Sequence, residues 1–312
     1  MKAIPVEVGH QLVRANTLRR GQLFIIVAST IWGSSFVFIK WGVEFLNPFI
    51  YLFFRFLVAA IVTLPIMRFV RSRELAHYLL DRRVILVGLI NTLAFFCEFV
   101  GIEYTTAGMA AILTNVQVVF VALLAYIFLG EQMDKRKTVA LTASVLGVLL
   151  IAINGDPSNL QGGQLLGNLL ILVSGILWAV YIVASKFVLE NNSGKYFEVN
   201  SMELTYAVTI LTMMFSLPPA LIYGFTDFSS MLDVATAPAI IGILYMGFMC
   251  TTLAYFLYFE GLKRVTASAS AIYLILQTVF AVLLAFLFLG EIPTLYTLSG
   301  GILIGASIYL VS

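Results

Sequence analysis

The chain reads as an all-α integral membrane protein with ten transmembrane helices arranged as two inverted five-helix repeats. Three observations predict this: apolar runs of span length, a one-sided distribution of Lys and Arg, and an internal repeat. The 312 residues are 61% hydrophobic and 11% charged, with a mean hydropathy of +1.01. Soluble domains carry roughly 25% charged and about 45–50% apolar residues. Too little polar surface is available to coat a water-soluble globule of this size. That excludes an ordinary cytosolic enzyme, a nucleic-acid binder and a disordered scaffold. A net charge of +2 implies no polyelectrolyte partner.

A helix needs about 20 apolar residues to cross the hydrocarbon core. Ten runs qualify: roughly 22–44, 48–70, 84–103, 106–129, 138–153, 164–187, 199–224, 236–262, 266–289 and 294–311. Barrel strands would be shorter and strictly alternating. Residues 1–20 are polar and basic, and the run behind them is too long for a signal-peptide core, so it is the first span. Asn47-Pro48 and Thr105-Thr106 leave almost no loop, so the helices they join are antiparallel neighbours.

Sixteen of the 18 basic residues fall on one side of this arrangement. They are Lys2, Arg14, Arg19 and Arg20 at the N-terminus, then Arg68, Arg71, Arg73, Arg82 and Arg83 between spans two and three. Lys135, Arg136 and Lys137 follow span four, Lys186 and Lys195 follow span six, and Lys263 and Arg264 follow span eight. The opposite loops carry acids such as Asp156, Asp227 and Asp233. Cytoplasmic loops are the Lys/Arg-rich ones, so both termini are expected in the cytoplasm, with the protein in the plasma membrane.

Residues 101–131 and 261–291 align without gaps and share 15 of 31 positions, including Gln117/Gln277, Phe120/Phe280 and Gly130-Glu131/Gly290-Glu291. Spans one and six match at an offset of 146 through Trp32/Trp178 and Lys40/Lys186. The chain therefore divides into a basic cytoplasmic N-terminus (1–20), a first repeat (21–153), a turn-rich extracytoplasmic linker (154–162) and a second repeat (163–312). Five spans is an odd number, so the second repeat is inverted. Such repeats give two near-equivalent arrangements, one open to each face, around a site near the midplane. A static scaffold gives no reason for that symmetry.

Three segments together resemble the EamA family of the drug/metabolite transporter superfamily. They are Trp32-Gly-Ser-Ser-Phe36…Lys40, Pro48…Arg55-Phe56, and the paired Thr-Ala…Val-Phe…Leu-Gly-Glu blocks. The resemblance covers about residues 22–311. It implies a ten-helix inverted-repeat fold that moves small metabolites, often outward, around a cavity lined by spans one, three, four, six, eight and nine. Members often place proline before the Val-Phe element, where this chain has Gln117 and Gln277.

No catalytic constellation, metal-ligand cluster or phosphate loop is present, so neither an enzyme nor a cofactor is expected. Cys97 and Cys250 are isolated in apolar runs and read as buried thiols. His10 and His77 lie outside the spans. Ionisable groups inside spans are functional by default. Lys40, Arg55 and Glu98 fall about 6, 10 and 7 Å from the outer ends of their spans at 1.5 Å per residue. An expected charge pair joins Glu98 to Arg55 or Lys40, as an outer gate or anchor. An inner set comprises Lys186, Glu203 and Glu260.

Polar and aromatic groups at mid-depth are the substrate-binding candidates: Trp32, Asn91, Gln117, Trp178, Tyr181, Tyr245, Tyr273 and Gln277. Thr251, Thr252 and Tyr255 lie at similar depth. Gly301…Gly305 and Ala143-Ser144…Gly147 are expected to let helices approach closely. The expected activity is secondary transport, in the export direction, of small polar or amphipathic metabolites such as amino acids. Partners are a small-molecule substrate, the lipid bilayer and, through Glu98, protons as a coupling ion; no nucleic acid is expected, and monomer and homodimer both stay open. The alternatives are an antiporter of anionic substrates, with Lys40 and Arg55 clamping phosphate, and a non-transporting lipid-handling or sensory protein.

Overall fold

The computed structural model describes residues 6–70, 79–153, 165–190, 199–226, 232–290 and 295–311. Among them the chain forms α1 (Val6–Gly42), α2 (Pro48–Val70), α3 (Arg82–Glu103), α4 (Ala107–Leu129), α5 (Lys135–Ile153), α6 (Leu165–Glu190), α7 (Ser201–Thr226), α8 (Ala237–Leu262), α9 (Ala267–Leu289) and α10 (Leu295–Val311). No strand occurs among the described residues. Eight helices are long and apolar enough to cross a membrane; α5 and the 17-residue α10 are not among them. The linker 154–162, Lys2, Arg71, Arg73, His77, Asp156, Lys195 and Asp227 lie outside the described residues.

Each expected span coincides with a helix to within a few residues, with one correction. Helix α1 starts at Val6, not near residue 22, and takes most of the basic N-terminus with it. Between Val6 and Gly21 only Gly9 disfavours a helix strongly, and Val, Gln, Leu, Arg and Ala there tolerate or favour one.

The helix ends follow local chemistry. Asn47 Oδ1 accepts the Phe49 amide at 3.0 Å as Pro48 opens α2. Asp81 caps α3 by accepting the Arg83 amide at 2.8 Å. Asn200 and Glu203 form a reciprocal capping box at α7, with distances of 2.7 and 2.9 Å, so Glu203 has a local structural task. Glu260 likewise pairs with Arg264 one turn on, at 2.6 Å. The two repeat blocks start and stop alike. Thr106 and Thr266 accept the amides of Met109 and Ala269. Gly130 and Gly290 end α4 and α9 at φ 64° and 72°, a left-handed conformation that costs glycine nothing.

The exterior is apolar: Phe225, Phe288 and Ile302 are 84%, 73% and 74% exposed. Polar groups sit inside, among them Arg55, Asn91, Glu98, Gln117 and Gln277, all buried. This is the distribution expected when hydrocarbon replaces water as the solvent. Helices pair as α3 with α6, α1 with α8 and α9, α2 with α7, and α5 with α10.

Two close crossings join the helices near their ends. A Cβ on Gly261 would lie 2.8 Å from Gly21 O, and one on Gly167 would lie 2.9 Å from Gly101 O. Gly21/Gly167 differ by 146 and Gly101/Gly261 by 160, the two offsets of the sequence repeat. The close approach expected of the small residues of α10 is not made within the described chain. Nothing lies within 4 Å of a Cβ on Gly301 or Gly305, so these glycines make no close intrachain approach among the described residues.

Three helices are interrupted at mid-depth. Helix α4 breaks at Thr114-Asn115, where the Gln117 and Val118 amides turn back to Thr114 O and Asn115 O at 3.1 and 3.0 Å. Helix α9 breaks at Ile275, the equivalent of Asn115, where the Thr278 amide bonds Ile275 O at 2.9 Å. Asn115 Nδ2 donates to Thr278 Oγ1, and Thr278 Oγ1 to Ala111 O at 3.1 Å, so the breaks are bonded to each other. Gly33 of α1 and Gly175 of α6 admit them. A Cβ would lie 2.7 Å from Gln277 O at the first and 2.9 Å from Thr114 O at the second. In α8, Met246–Leu253 is a π-helical turn.

Candidate functional site

The breaks, the π turn and the two indole-bearing helices converge on one central cavity of about 50 Å³. Helices α1, α3, α4, α6, α8 and α9 line it, as the resemblance implies, and α2 joins them through Arg55. A water molecule's share of liquid is about 30 Å³, and ligand sites of small molecules run to about 300–1,000 Å³. The cavity therefore holds little more than water in this conformation, and any metabolite needs the helices to part.

Six of the eight expected substrate-binding residues are at or beside it. Trp32, Gln117, Trp178, Tyr181 and Gln277 line it directly. Asn91 stands behind the wall, donating to Thr212 Oγ1 and accepting from the Tyr255 hydroxyl, both at 2.8 Å, so it sets the phenol of a lining residue. The other two lie outside its wall. Tyr245 faces away: its hydroxyl meets Ser34 Oγ at 2.6 Å and its ring stacks on Phe38. It lines a lateral groove of about 730 Å³ between α1, α8 and α9, where an aromatic stripe fills space between helices. Tyr273 is buried but is not part of the cavity wall.

Gln117 and Gln277 make no side-chain hydrogen bond to the protein among the described residues. The polar bonds joining α4 to α9 come from Asn115 and Thr278 instead. The glutamines thus present free carboxamides to the cavity.

The charged residues also differ from expectation. Lys40, Arg55 and Glu98 form no ion pair with one another among the described residues. Lys40 Nζ donates to Ile102 O and Glu103 O at 3.2 and 3.3 Å, capping the end of α3. Its repeat counterpart Lys186 does the same for the end of α8, reaching Leu262 O and Val265 O at 2.7 and 2.8 Å and Glu190 at 2.8 Å. Helix C-termini attract cations because their last carbonyls are unpaired. That need explains why a lysine sits there, and it takes Lys40 out of any phosphate clamp.

Arg55 and Glu98 both line the cavity, 1% and 4% exposed, yet each is held by neutral neighbours. Arg55 Nε donates to Thr251 Oγ1 at 2.9 Å, and its guanidinium carbon stands 4.5 Å from the centre of the Phe95 ring. Trp178 Nε1 donates to Glu98 Oε2 at 2.7 Å.

The π turn supports this arrangement. Thr251 Oγ1 bonds back five residues to Met246 O at 2.9 Å, which places its hydroxyl for Arg55. The Ala254 amide bonds Met249 O and Thr251 O, which leaves Cys250 O for the Trp32 indole at 2.8 Å. Cys250 therefore positions a lining indole through its backbone carbonyl, and both cysteines are free thiols.

Sequence reasoning missed Tyr258, Phe95 and Ser35 in the wall and Thr251 as the support of Arg55. Tyr258 had a signal, since it is the repeat equivalent of Glu98 at the 160 offset.

A second polar contact closes the other end of the broken helices. Glu131, at the end of α4, accepts the Ala267 and Ser268 amides at 2.5 and 3.1 Å and the Ser268 hydroxyl at 2.7 Å. A carboxylate there satisfies the first free amides of α9 and matches the helix dipole.

An apolar exterior, eight span-length helices and a polar buried centre define a multi-pass membrane protein. The model of the EamA-like transporter family matches residues 19–153 and again 165–312. The chain belongs to that family.

Among curated proteins, an uncharacterized transporter of Archaeoglobus fulgidus is 32% identical over 92% of this chain and 96% of its own. An uncharacterized transporter of Bacillus subtilis is 28% identical over 86% and 79%. A Salmonella typhimurium protein named as a probable amino-acid metabolite efflux pump is 24% identical over 94% of both chains. A solved crystal structure superposes with a TM-score of 0.71 at 15% identity, covering 94% of this chain and 96% of that one, so the two share a fold.

Proposed function

We propose that this chain is a secondary transporter that exports small polar or amphipathic metabolites, such as amino acids, across the plasma membrane by alternating access, with both termini in the cytoplasm. One observation carries the reading: a cavity too small for a metabolite, walled by aromatic side chains with Arg55, Glu98, Gln117 and Gln277 among them, lies where both halves of the chain meet, beside a break in one helix of each half. Broken helices at mid-depth are where transporters place substrate.

The ten-span inverted repeat is part of the same proposal. Its support is the paired glycine crossings, the paired lysine caps, the paired breaks and a family model that matches twice, with residues 154–164 between the matches. The lysine caps are unequal. The Lys186 bonds are about half an ångström shorter than those of Lys40. The amino-acid class draws on the printed name of the Salmonella relative and on the mixed charge of the cavity.

The test is a thermal-shift screen of purified protein against a metabolite panel, followed by flux of the best ligand in sealed proteoliposomes. Ligands that bind only the folded state raise its apparent stability. Ligand-saturable flux supports the proposal. Absence of flux for every stabilising ligand would favour the sensory or lipid-handling reading.

A further inference from the structure

Arg55 and Glu98 carry opposite charges, line one cavity and do not touch. Opposite charges in a low-dielectric interior attract strongly, and a buried ion that lacks its partner is costly. Left to themselves the two would pair. The surrounding side chains hold them apart instead: Thr251 and the Phe95 ring fix the guanidinium, and the Trp178 indole fixes the carboxylate.

Each retains unused hydrogen-bonding capacity. Arg55 Nη1 is buried with no hydrogen-bond partner. Glu98 uses only Oε2; its Oε1 has no protein hydrogen bond among the described residues. One donor edge and one acceptor edge therefore stand ready for a third party. These two are the charged residues of the wall.

We infer that the cavity is a zwitterion site, in which Arg55 takes a substrate carboxylate and Glu98 takes its ammonium group. The inference rests on the reading of this cavity as the substrate site and adds the ligand chemistry. A ligand bearing both charges leaves neither wall residue uncompensated. A lone cation leaves Arg55 buried with an unmatched charge, and a lone anion does the same for Glu98. A phosphate dianion would also face the Glu98 carboxylate. The rest of the wall suits the remainder of an amino acid: Trp32, Trp178 and Tyr255 give apolar faces, and the Gln117 and Gln277 carboxamides add neutral polar contacts. The support for Arg55 comes from the π turn of α8, so that turn is a positioning element for the carboxylate end.

The experiment uses the full chain in detergent and reads melting temperature and calorimetric affinity. The probes are the twenty protein amino acids, with choline as a lone cation and glucose 6-phosphate as an anion. The best amino acid is then compared with its amide, which keeps only the ammonium, and its des-amino acid, which keeps only the carboxylate. A site built for a polar group rejects the analogue lacking it, so each one-charge analogue is expected to bind at least about 100-fold more weakly.

Glu98→Gln keeps an acceptor for Trp178 and removes only the charge. It should erase discrimination against the des-amino acid and retain discrimination against the amide. Arg55→Gln should do the reverse, and Arg55→Lys should retain part of the carboxylate preference if the glutamine variant fails to fold. A merely structural role would lower stability without this crossover.

The inference is overturned if a one-charge analogue binds as tightly as the amino acid, or if Glu98→Gln weakens all ligands alike. Stabilisation by choline or glucose 6-phosphate and by none of the amino acids also overturns it, while leaving the transport proposal standing. If no probe binds and no flux is seen, the transport proposal falls with it.

Discussion

Trp178 Nε1 donates to Glu98 Oε2 across 2.7 Å, so a residue of the second half holds the one carboxylate in the cavity wall contributed by the first. Trp32, the repeat counterpart of Trp178, donates in the opposite direction, from α1 to Cys250 O in the second half. Each half thus reaches into the other with an indole at mid-depth. The two bonds are chemically unequal, since one ends on a charge and the other on a backbone carbonyl.

Glu98→Ala should destabilise the protein by about 1–3 kcal/mol, because it strands a buried indole N–H and the facing Arg55 charge. Glu98→Gln should cost less, since the amide oxygen still accepts from Trp178. Thermal melting of the two variants side by side checks this ordering. Equal melting of both with wild type would mean the indole bond contributes nothing.

The glutamines of the cavity give a different expectation. Gln117→Leu removes no protein hydrogen bond among the described residues, so its stability should stay within about 1 kcal/mol of wild type. Its ligand preference should shift toward more apolar compounds. Calorimetric titration of wild type and variant with the same ligands reads this out; unchanged preference with a large loss of folded protein would show that the side chain serves packing.

Glycine positions separate close crossings from open surface. A Cβ on Gly33 would sit 2.6 Å from Phe280 Cβ and 2.7 Å from Gln277 O, so Gly33→Ala should cost about 1–3 kcal/mol through overpacking. Gly301→Ala meets nothing within 4 Å and should be neutral, or stabilising by about 0.4–1 kcal/mol through the unfolded chain. Melting temperatures that rank the two in reverse order would contradict the α1–α9 contact described above.

Much of this was legible in the sequence, for identifiable reasons. The spans followed from run length, and α2, α3, α4 and α9 also carry start or stop signals in Pro48, Asp81, Thr106, Gly130, Thr266 and Gly290. The start of α1 was not legible, because hydropathy marks where a helix enters hydrocarbon and not where the helix begins. The cavity was legible through Trp32, Trp178, Gln117 and Gln277, since polar or indole groups at mid-depth must face inward.

The placements of Tyr245 and Tyr273 were not, because depth alone does not say which side of a helix faces the centre. Nor was the separation of Arg55 from Glu98. It depends on Thr251, Phe95 and Trp178 converging from three helices, and on a π turn that shifts the face of α8 without a proline or glycine at Cys250-Thr251 to announce it. The breaks of α4 and α9 were equally silent. The resemblance pointed to proline at Gln117 and Gln277, yet the helices break just before these positions without it.

Outside the spans, Asp81 supplies a pH dependence. Its hydrogen bond with the Arg83 side chain holds its carboxyl below the usual carboxylate range. A depressed folded value means the capping contribution is complete above the unfolded value of about 3.9 and is lost as pH falls through the folded one. Asp81→Ala should cost about 0.5–2 kcal/mol. Its difference from wild type should be constant from about pH 8 to about pH 5 and shrink below about pH 4. Melting curves of both proteins across that range check the sign; a difference that grows on acidification would contradict it.

The central claim is that the cavity opens in turn to each side of the membrane, and it can be tested without knowing the substrate. Ser35 lines the cavity and is 5% exposed in this conformation. With Cys97 and Cys250 replaced by alanine, a Ser35→Cys variant in sealed liposomes is treated with a membrane-impermeant thiol reagent, added outside or trapped inside. Orientation is resolved by a second label on the N-terminus. Alternating access predicts modification from both sides, each with its own rate. Modification from one side only, or from neither, would contradict it.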